Sequence, residues 1–112
     1  MANVKSLEFE INSLIKLFSD GQIREALNNA ETLIVSNPNE SLLFNISGVC
    51  YKTIGQLQDA IKCFERAVTI KTDFTDAHYN LGLTFQELNM LEAAVKSYEK
   101  ALEIEPKYAI VH

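Results

Sequence analysis

Cysteine is scarce in this chain, and its two copies, Cys50 and Cys63, lie too far apart to form the CxxC pair of a metal site. Two cysteines are also too few to hold together a scaffold built on disulfides. We expect both thiols to pack as small apolar side chains, beside Tyr51 and Phe64 respectively. This sparing use of cysteine favours a reducing, cytoplasmic setting.

Long apolar runs and basic clusters are missing as well. No stretch approaches the roughly 18 consecutive apolar residues that a transmembrane helix requires. The net charge is −5 and lysine and arginine form no run, which argues against a nucleic acid or a membrane surface as partner. The N-terminal segment carries Glu8 and Glu10, unlike a secretory signal peptide.

Residues that carry out catalysis or bind metals are few. The only histidines are His78 and His112, and no acidic residues are spaced as metal ligands. A lone histidine is more often packed against its neighbours than used as a ligand, and we expect this of His78. The sequence therefore predicts a protein that is not an enzyme and that holds no metal and no cofactor.

The composition that remains is that of an ordinary globular protein. Apolar residues make up 47% of the chain and charged residues 22%, which is enough to build a core. A length of 112 residues suffices for one compact domain and not for two. We expect a single domain over residues 1–112.

The sequence repeats itself with a period of thirty-four residues. The clearest sign is a glycine inside a helical apolar pattern, Gly48 in "NISGVCY" and Gly82 in "YNLGLTF". Other identities follow at the same shift, among them the pairs Leu57 and Leu91, Ala60 and Ala94, Glu65 and Glu99, Ala67 and Ala101, and Ile70 and Ile104. The predicted copies span residues 7–40, 41–74 and 75–108, and residues 109–112 begin a fourth.

Each copy divides into two predicted helices. In the third copy, apolar residues between Leu81 and Leu88 recur at helical spacing, and the pattern resumes after a short break. Gly21, Gly55 and Asn89 stand at this break in the three copies. Glycine and asparagine tolerate the left-handed conformation that ends many helices, so we expect a tight turn at each.

The ends of the second helices carry their own signals. Pro38 and Pro106 are predicted to stop the second helix of the first and third copies. Asn39 and Asp73 are the predicted N-caps of the helices that follow. Six antiparallel helices with short connections result, and no segment has the alternation of a strand.

The helical glycines call for an explanation, because glycine costs about 1 kcal/mol relative to alanine inside a helix. Each stands twelve residues before an alanine of the next helix, as Gly48 before Ala60 and Gly82 before Ala94. We expect these small residues to face each other, so that the two helices of a pair approach closely.

These residues resemble the tetratricopeptide repeat (TPR) family, whose 34-residue unit places small, aromatic and proline residues at fixed positions. The third copy matches this unit at Leu81, Gly82, Phe85, Ala94, Tyr98, Ala101 and Pro106. The second copy matches at Phe44, Gly48, Tyr51, Ala60, Phe64 and Ala67. The resemblance implies an all-α fold, a right-handed superhelical solenoid of three antiparallel helix pairs with the start of a fourth repeat.

The first copy departs from the family pattern. It keeps Ala26 and Pro38, but Leu14 stands where glycine is expected and Leu33 where alanine is expected. Ala30 replaces an aromatic residue, and we expect its small side chain to leave room for Leu14.

The resemblance also implies a function. TPR domains bind peptides in a concave groove lined by the first helix of each pair. The positions carried over to this chain are Glu8, Ile11, Asn12, Ile15, Phe18, Ser19, Leu42, Asn45, Ile46, Val49, Lys52, Thr53, Asp76, Tyr79, Asn80, Leu83, Gln86 and Glu87. For Ile15, Val49 and Leu83, packing against neighbouring helices is an equally good interpretation. The asparagines suit the backbone of an extended peptide, because an amide both donates and accepts.

One subtype of the family is not indicated. Chaperone-binding TPR domains hold a C-terminal carboxylate with a clamp of lysine, asparagine and arginine. The corresponding positions here are Ile11, Ile15, Ile46, Asp76 and Asn80. Binding of Hsp70 or Hsp90 tails by that clamp is therefore not predicted, and the acidic lining favours neutral or basic segments.

We predict a non-catalytic protein-interaction module that binds a protein or peptide partner. The alternative is a module for self-association, or a spacer within a larger protein whose catalytic domain lies elsewhere. Ala109, Ile110 and Val111 begin a repeat that does not continue, so we expect an uncovered apolar face that includes Leu91, Tyr98 and Leu102. That face predicts a fragment of a longer protein, or a homodimer formed end to end.

Overall fold

The computed structural model describes residues 4–107, which form six α-helices. The helices are α1 (Val4–Ser19), α2 (Ile23–Ser36), α3 (Ser41–Thr53), α4 (Leu57–Ile70), α5 (Thr75–Glu87) and α6 (Leu91–Ile104). No strand occurs within these residues. The predicted all-α class and the division into three helix pairs are confirmed.

A sharp turn separates the two helices of each pair, as predicted. Gly21, Gly55 and Asn89 adopt positive φ angles of 83°, 85° and 61°. The residue after each of them closes the turn, as where the Met90 N–H donates to the Phe85 carbonyl oxygen at 2.8 Å. This pattern satisfies carbonyl groups that the end of a helix would otherwise leave unpaired.

Prolines follow the second helices of the first and third pairs. Pro38 and Pro106 follow the last helical residues, Ser36 and Ile104, by two positions, so the predicted stops are confirmed. Proline lacks the N–H that a continuing helix needs.

The predicted N-caps are wrong by one position. The cap residues are Glu40 and Phe74, not Asn39 and Asp73, and neither makes a side-chain capping hydrogen bond. The loop backbone supplies the reason. The Phe74 N–H donates to the Lys71 carbonyl oxygen at 3.1 Å, so a closed turn brings the chain to the start of α5 one residue later than Asp73.

The helical glycines face aromatic rings, not the alanines that the sequence suggested. A Cβ atom added to Gly48 would lie 2.5 Å from the Phe64 ring, and one added to Gly82 would lie 2.5 Å from the Tyr98 ring. Both distances are far below van der Waals contact. The close approach of the helices is therefore a packing of ring against backbone. Ala60, Ala67, Ala94 and Ala101 are buried in the core beside these contacts.

The first helix pair also packs a large side chain against a small one, but on the opposite helices. Leu14 on α1 and Ala30 on α2 are 1% and 0% exposed and belong to one core cluster with Leu43 of α3. A large residue thus stands on the first helix and a small one on the second. The expectation that Ala30 leaves room for Leu14 is confirmed.

The stacking of the pairs defines two sides of the molecule. The first helices contact one another, α1 with α3 and α3 with α5, whereas no such contact joins the second helices within residues 4–107. The first helices therefore form the shorter, inner side of an elongated molecule of 44 × 26 × 23 Å. We call the exposed side of α1, α3 and α5 the inner surface, and that of α2, α4 and α6 the outer surface.

Candidate peptide-binding surface

Two asparagines bridge adjacent helices on the inner surface. The Asn80 side-chain amide of α5 donates to the Asn45 side-chain oxygen of α3 at 3.1 Å, and both residues are half-buried. Each side-chain amide has two donor hydrogens and an acceptor oxygen, so this single bond leaves hydrogen-bonding capacity on both residues. The pair presents fixed polar groups at the centre of the inner surface.

An ion pair lies further along the same two helices. The Lys52 ammonium contacts a Glu87 carboxylate oxygen at 2.9 Å, with side chains 24% and 48% exposed. A pair this exposed contributes modestly to stability, about 0–1 kcal/mol. Its main effect here is electrostatic. Lys52 is neutralised by Glu87, so this pair adds no net charge to the inner surface.

Two of the predicted groove residues, Tyr79 and Gln86, contact α6. The Tyr98 hydroxyl donates to the Gln86 side-chain oxygen at 2.6 Å, and the Tyr79 and Tyr98 rings lie 5.7 Å apart between centroids. Burial raises the pKa of the Tyr98 phenol, with smaller contributions from Tyr79 and Glu87. Tyr79 and Gln86 thus help to join α5 to α6, and they also lie at the edge of the inner surface.

Burial removes one residue from the candidate surface. Ile11 is 9% exposed and belongs to the core cluster of Leu14 and Leu43, so it offers almost no area to a ligand. Leu42 is half-buried against the same cluster. Of the apolar candidates for which packing was an equally good interpretation, Val49 packs against the core cluster that contains Phe64 and Leu81, whereas Ile15 remains 48% exposed. Asn12 is exposed on α1.

Sequence reasoning missed the pairing of polar residues across α3 and α5. Both pairs join residues thirty-five positions apart, Asn45 with Asn80 and Lys52 with Glu87. One repeat plus one residue is thus the spacing that brings neighbouring first helices into contact. A search for complementary side chains at that spacing would have found both pairs.

Residues with catalytic or metal-binding chemistry are dispersed in the structure. Within residues 4–107, no three His, Cys, Asp or Glu side chains come together as a metal site. The half-buried His78 ring has a nitrogen 2.9 Å from the Thr72 carbonyl oxygen, at the start of α5. The predicted packing role of His78 agrees with this contact. None of the six helices is long and apolar enough to cross a membrane.

Two sequence models of one repeat family match the chain. The model described as "Tetratricopeptide repeat" matches residues 75–108, and the model described as "TPR repeat" matches residues 50–89. A comparison with curated protein sequences gave no match.

Solved structures share the fold over almost the whole chain. The first TPR of Spaghetti (RPAP3), bound to the HSP90 peptide SRMEEVD, is 24% identical with a TM-score of 0.88, over 94% of this chain and 83% of that one. The type III secretion translocator chaperone SycD of Yersinia enterocolitica is 17% identical with a TM-score of 0.90, over 99% and 79%.

A third structure, MamA, is 25% identical with a TM-score of 0.82, and 88% of this chain covers 60% of it. The repeat period, the glycine and aromatic contacts, the turn geometry and these matches agree. The chain belongs to the tetratricopeptide repeat family.

Proposed function

We propose that this chain is a non-catalytic protein-interaction module that binds an extended segment of a partner protein on its inner surface. The observation that carries the proposal is the Asn45–Asn80 pair, which places amide groups at a fixed position between α3 and α5. Two structural neighbours lend support, since RPAP3 was solved with an HSP90 peptide and SycD with a peptide of the translocator YopD.

The mechanism follows from hydrogen-bonding capacity and rigidity. A peptide backbone offers N–H and C=O groups at regular intervals, and the remaining donors and acceptors of Asn45 and Asn80 complement both. The pair is already held in place by its own hydrogen bond and by the packing of α3 against α5. Preorganisation of this kind reduces the ordering cost of binding.

The charge of the inner surface sets the preference of the proposed site. Glu8 is exposed on the inner surface, and the charge of Lys52 is balanced by Glu87. Neutral or basic, partly apolar segments should therefore bind better than acidic ones. The peptide SRMEEVD that RPAP3 binds is acidic, and the cationic clamp is not present at the matching positions of this chain. We accordingly propose a different partner class from chaperone tails.

A peptide array followed by calorimetry tests this proposal. The best-binding peptide from a library of varied charge should be neutral or basic. Its affinity should fall about 5- to 10-fold in each of Asn45→Ala and Asn80→Ala, the effect of about one hydrogen bond. Asn28→Ala, an exposed asparagine on α2, is the matched control and should bind as the parent does. Preference for acidic tails, or full affinity in both inner-surface variants, would contradict the proposal.

A second candidate function is self-association through the exposed face of α6. Leu91, Val95 and Leu102 are 55%, 52% and 36% exposed there, while Tyr98 is half-buried against Tyr79 and Gln86. One structure of SycD is described as an alternative dimer. The same face would also suit a further helix of a larger multidomain protein in which this chain is a spacer.

Sedimentation velocity over a range of concentrations tests self-association. A concentration-dependent dimer that disappears in Leu91→Ser/Val95→Ser supports this second function, whereas a monomer at every concentration contradicts it.

We also propose a reducing, cytoplasmic setting, which is supported by Cys50 and Cys63 both being free thiols.

A further inference from the structure

The exposed face of α6 is equivalent to faces of α2 and α4 that the following helix covers. Val95 is 52% exposed, whereas Ile61 and Leu27, one and two repeats before it, are 8% and 6% exposed. Ile61 shares a core cluster with Leu81 of α5, and Leu27 shares one with Cys50 of α3. The apolar residues of α6 therefore stand at positions that pack against a first helix in the other two repeats.

A complementary face lies on α1, at the other end of the stack. Phe9 is 72% exposed, whereas Leu43 and Ala77, one and two repeats after it, are fully buried. In α3 and α5 this position is thus covered by the preceding helix pair. Phe9 is a large apolar side chain that is exposed at the same position.

The contact between α2 and α3 supplies a register for pairing α6 of one copy with α1 of another. Ile34 of α2 packs against the core cluster that contains Leu43 of α3. Leu102 is the equivalent of Ile34, and Phe9 is the equivalent of Leu43. The same packing between two copies places Leu102 against Phe9 and removes both exposed side chains from water.

The charges beside these residues fit the same register. Glu31 accepts a hydrogen bond from the Tyr51 hydroxyl across the contact of α2 with α3. Glu99 is the equivalent of Glu31 on α6, and α1 carries Leu17 at the place of Tyr51. The exposed ammonium of Lys16, the residue before Leu17, is the group on α1 that complements Glu99.

A pairing of α6 with α6 of a second copy has no counterpart inside the chain. Within residues 4–107, no two second helices contact each other, whereas α2 packs on α3 and α4 packs on α5. A pairing of α6 with α1 therefore repeats a contact that the chain already makes twice.

We infer that the face of α6 binds α1 of a second copy, so that copies join head to tail. The inference rests on self-association as the second proposed function, and it names the surface that α6 binds. Because the two faces differ, the contact is heterologous and each pair of copies keeps one face of each kind free. Assembly therefore continues beyond a dimer as the concentration rises.

The face of α1 is more polar than that of α3. Charged residues stand on α1 where α3 has apolar ones, with Glu10, Lys16 and Asp20 at the places of Phe44, Cys50 and Ile54. The contact between copies should therefore be weaker than the contacts between repeats, and it should be reversible.

Sedimentation velocity of variants that each lose one face tests the inference. Phe9→Ser removes the face of α1, and Leu91→Ser/Val95→Ser removes that of α6. Each should weaken association by about tenfold or more, so that each is monomeric where the parent chain forms dimers and larger species. Val35→Ser, which replaces an apolar residue of α2 that is 82% exposed, is the matched control and should associate as the parent does.

An equal mixture of the two variants gives the sharpest result. One intact α6 face then meets one intact α1 face, so the mixture should form dimers and nothing larger. Undiminished association of Phe9→Ser, or a mixture that stays monomeric, would overturn the inference. Circular dichroism confirms that each variant is folded.

These outcomes separate the inference from the proposed functions. A dimer that survives Phe9→Ser but not Leu91→Ser/Val95→Ser keeps self-association through α6 and overturns only the pairing with α1. A parent chain that is monomeric at every concentration contradicts both. Binding of the inner-surface peptide should be the same in both variants, because neither changes α3 or α5.

Discussion

At the scale of single residues, size matching between the two helices of a pair governs the packing. Gly82 lies under the Tyr98 ring and Gly48 under the Phe64 ring, whereas Leu14 is packed in one cluster with Ala30. Large and small side chains have exchanged helices in the first pair. Cores tolerate such exchanges when the total volume is kept.

This size matching makes a prediction for a double-mutant cycle. Gly82→Leu should destabilise the fold by roughly 1–3 kcal/mol, because Tyr98 is held by Gln86 and Tyr79 and leaves no room for a side chain. Adding Tyr98→Ala should recover part of that loss by recreating the Leu14–Ala30 arrangement. Urea unfolding of the two single variants and the double variant measures the coupling. Strictly additive losses would show that the ring and the glycine do not share one space.

The two thiols, Cys50 buried and Cys63 half-buried, should make the free energy of unfolding depend on alkaline pH. Burial raises the pKa of Cys50 to about 11 and that of Cys63 to about 12, and nearby Glu31 and Asp59 add to the second shift. In an unfolded chain a cysteine loses its proton near pH 8.5, as a rough reference. Above that pH the unfolded chain binds fewer protons than the folded one, so the free energy of unfolding falls as the pH rises.

We therefore expect stability to be constant around neutral pH and to decline from about pH 8.5 towards pH 11. At pH 10 the free energy of unfolding should be lower by about 1 kcal/mol for each thiol, and by less for the half-exposed Cys63, where solvent screens the shift. Urea midpoints at pH 7.5 and 10 measure it. Cys50→Ala/Cys63→Ala provides the comparison, because its midpoint should depend less steeply on pH. The same dependence in both proteins would mean that the thiols do not cause the decline.

At the scale of the helices, the turns within pairs could be read from the sequence. Glycine and asparagine adopt the left-handed conformation more readily than other residues. Gly21, Gly55 and Asn89 therefore indicate, from the sequence alone, where the backbone turns with a positive φ angle. The N-caps could not be placed in the same way. Which residue precedes Ser41 or Thr75 depends on backbone hydrogen bonds across the loop, and side-chain preference alone does not determine them.

The turn at Asn89 gives a prediction at this scale. Asn89→Ala should destabilise the protein by about 1–2 kcal/mol, because a residue with a Cβ and no polar side chain is strained at positive φ. Asn89→Gly should be neutral or slightly stabilising, since Gly21 and Gly55 occupy the same position in the other pairs. Thermal unfolding compares the two. Asn28→Ala, in the middle of α2, controls for loss of an exposed asparagine, and an equal effect there would refute the turn argument.

The repeat period alone does not identify the residues that the helical glycines contact. The repeat identifies residues that are equivalent in successive copies, and it does so correctly for Gly48 and Gly82. It does not say which residue of the next helix each glycine meets. That depends on the crossing of the two helices, which places Phe64 and Tyr98 over the glycines.

At the scale of the whole molecule, the stacking of three pairs creates an inner and an outer surface with different chemistry. The fold class followed from the repeat alone, because each pair leaves an apolar face that only another pair can cover. The inner surface was predicted as a set of positions. Its organisation into polar pairs was not, since contacts between Asn45 and Asn80 depend on the offset between neighbouring helices.

The central claim is that a partner segment binds across α1, α3 and α5. The most direct measurement is backbone amide shift mapping of the isotope-labelled chain with the best neutral or basic peptide from the array. We predict shifts that centre on Asn45 and Asn80, extend along α3 and α5, and shrink strongly in Asn80→Ala. Shifts confined to α2, α4 and α6, with Asn45 and Asn80 unaffected, would contradict the claim.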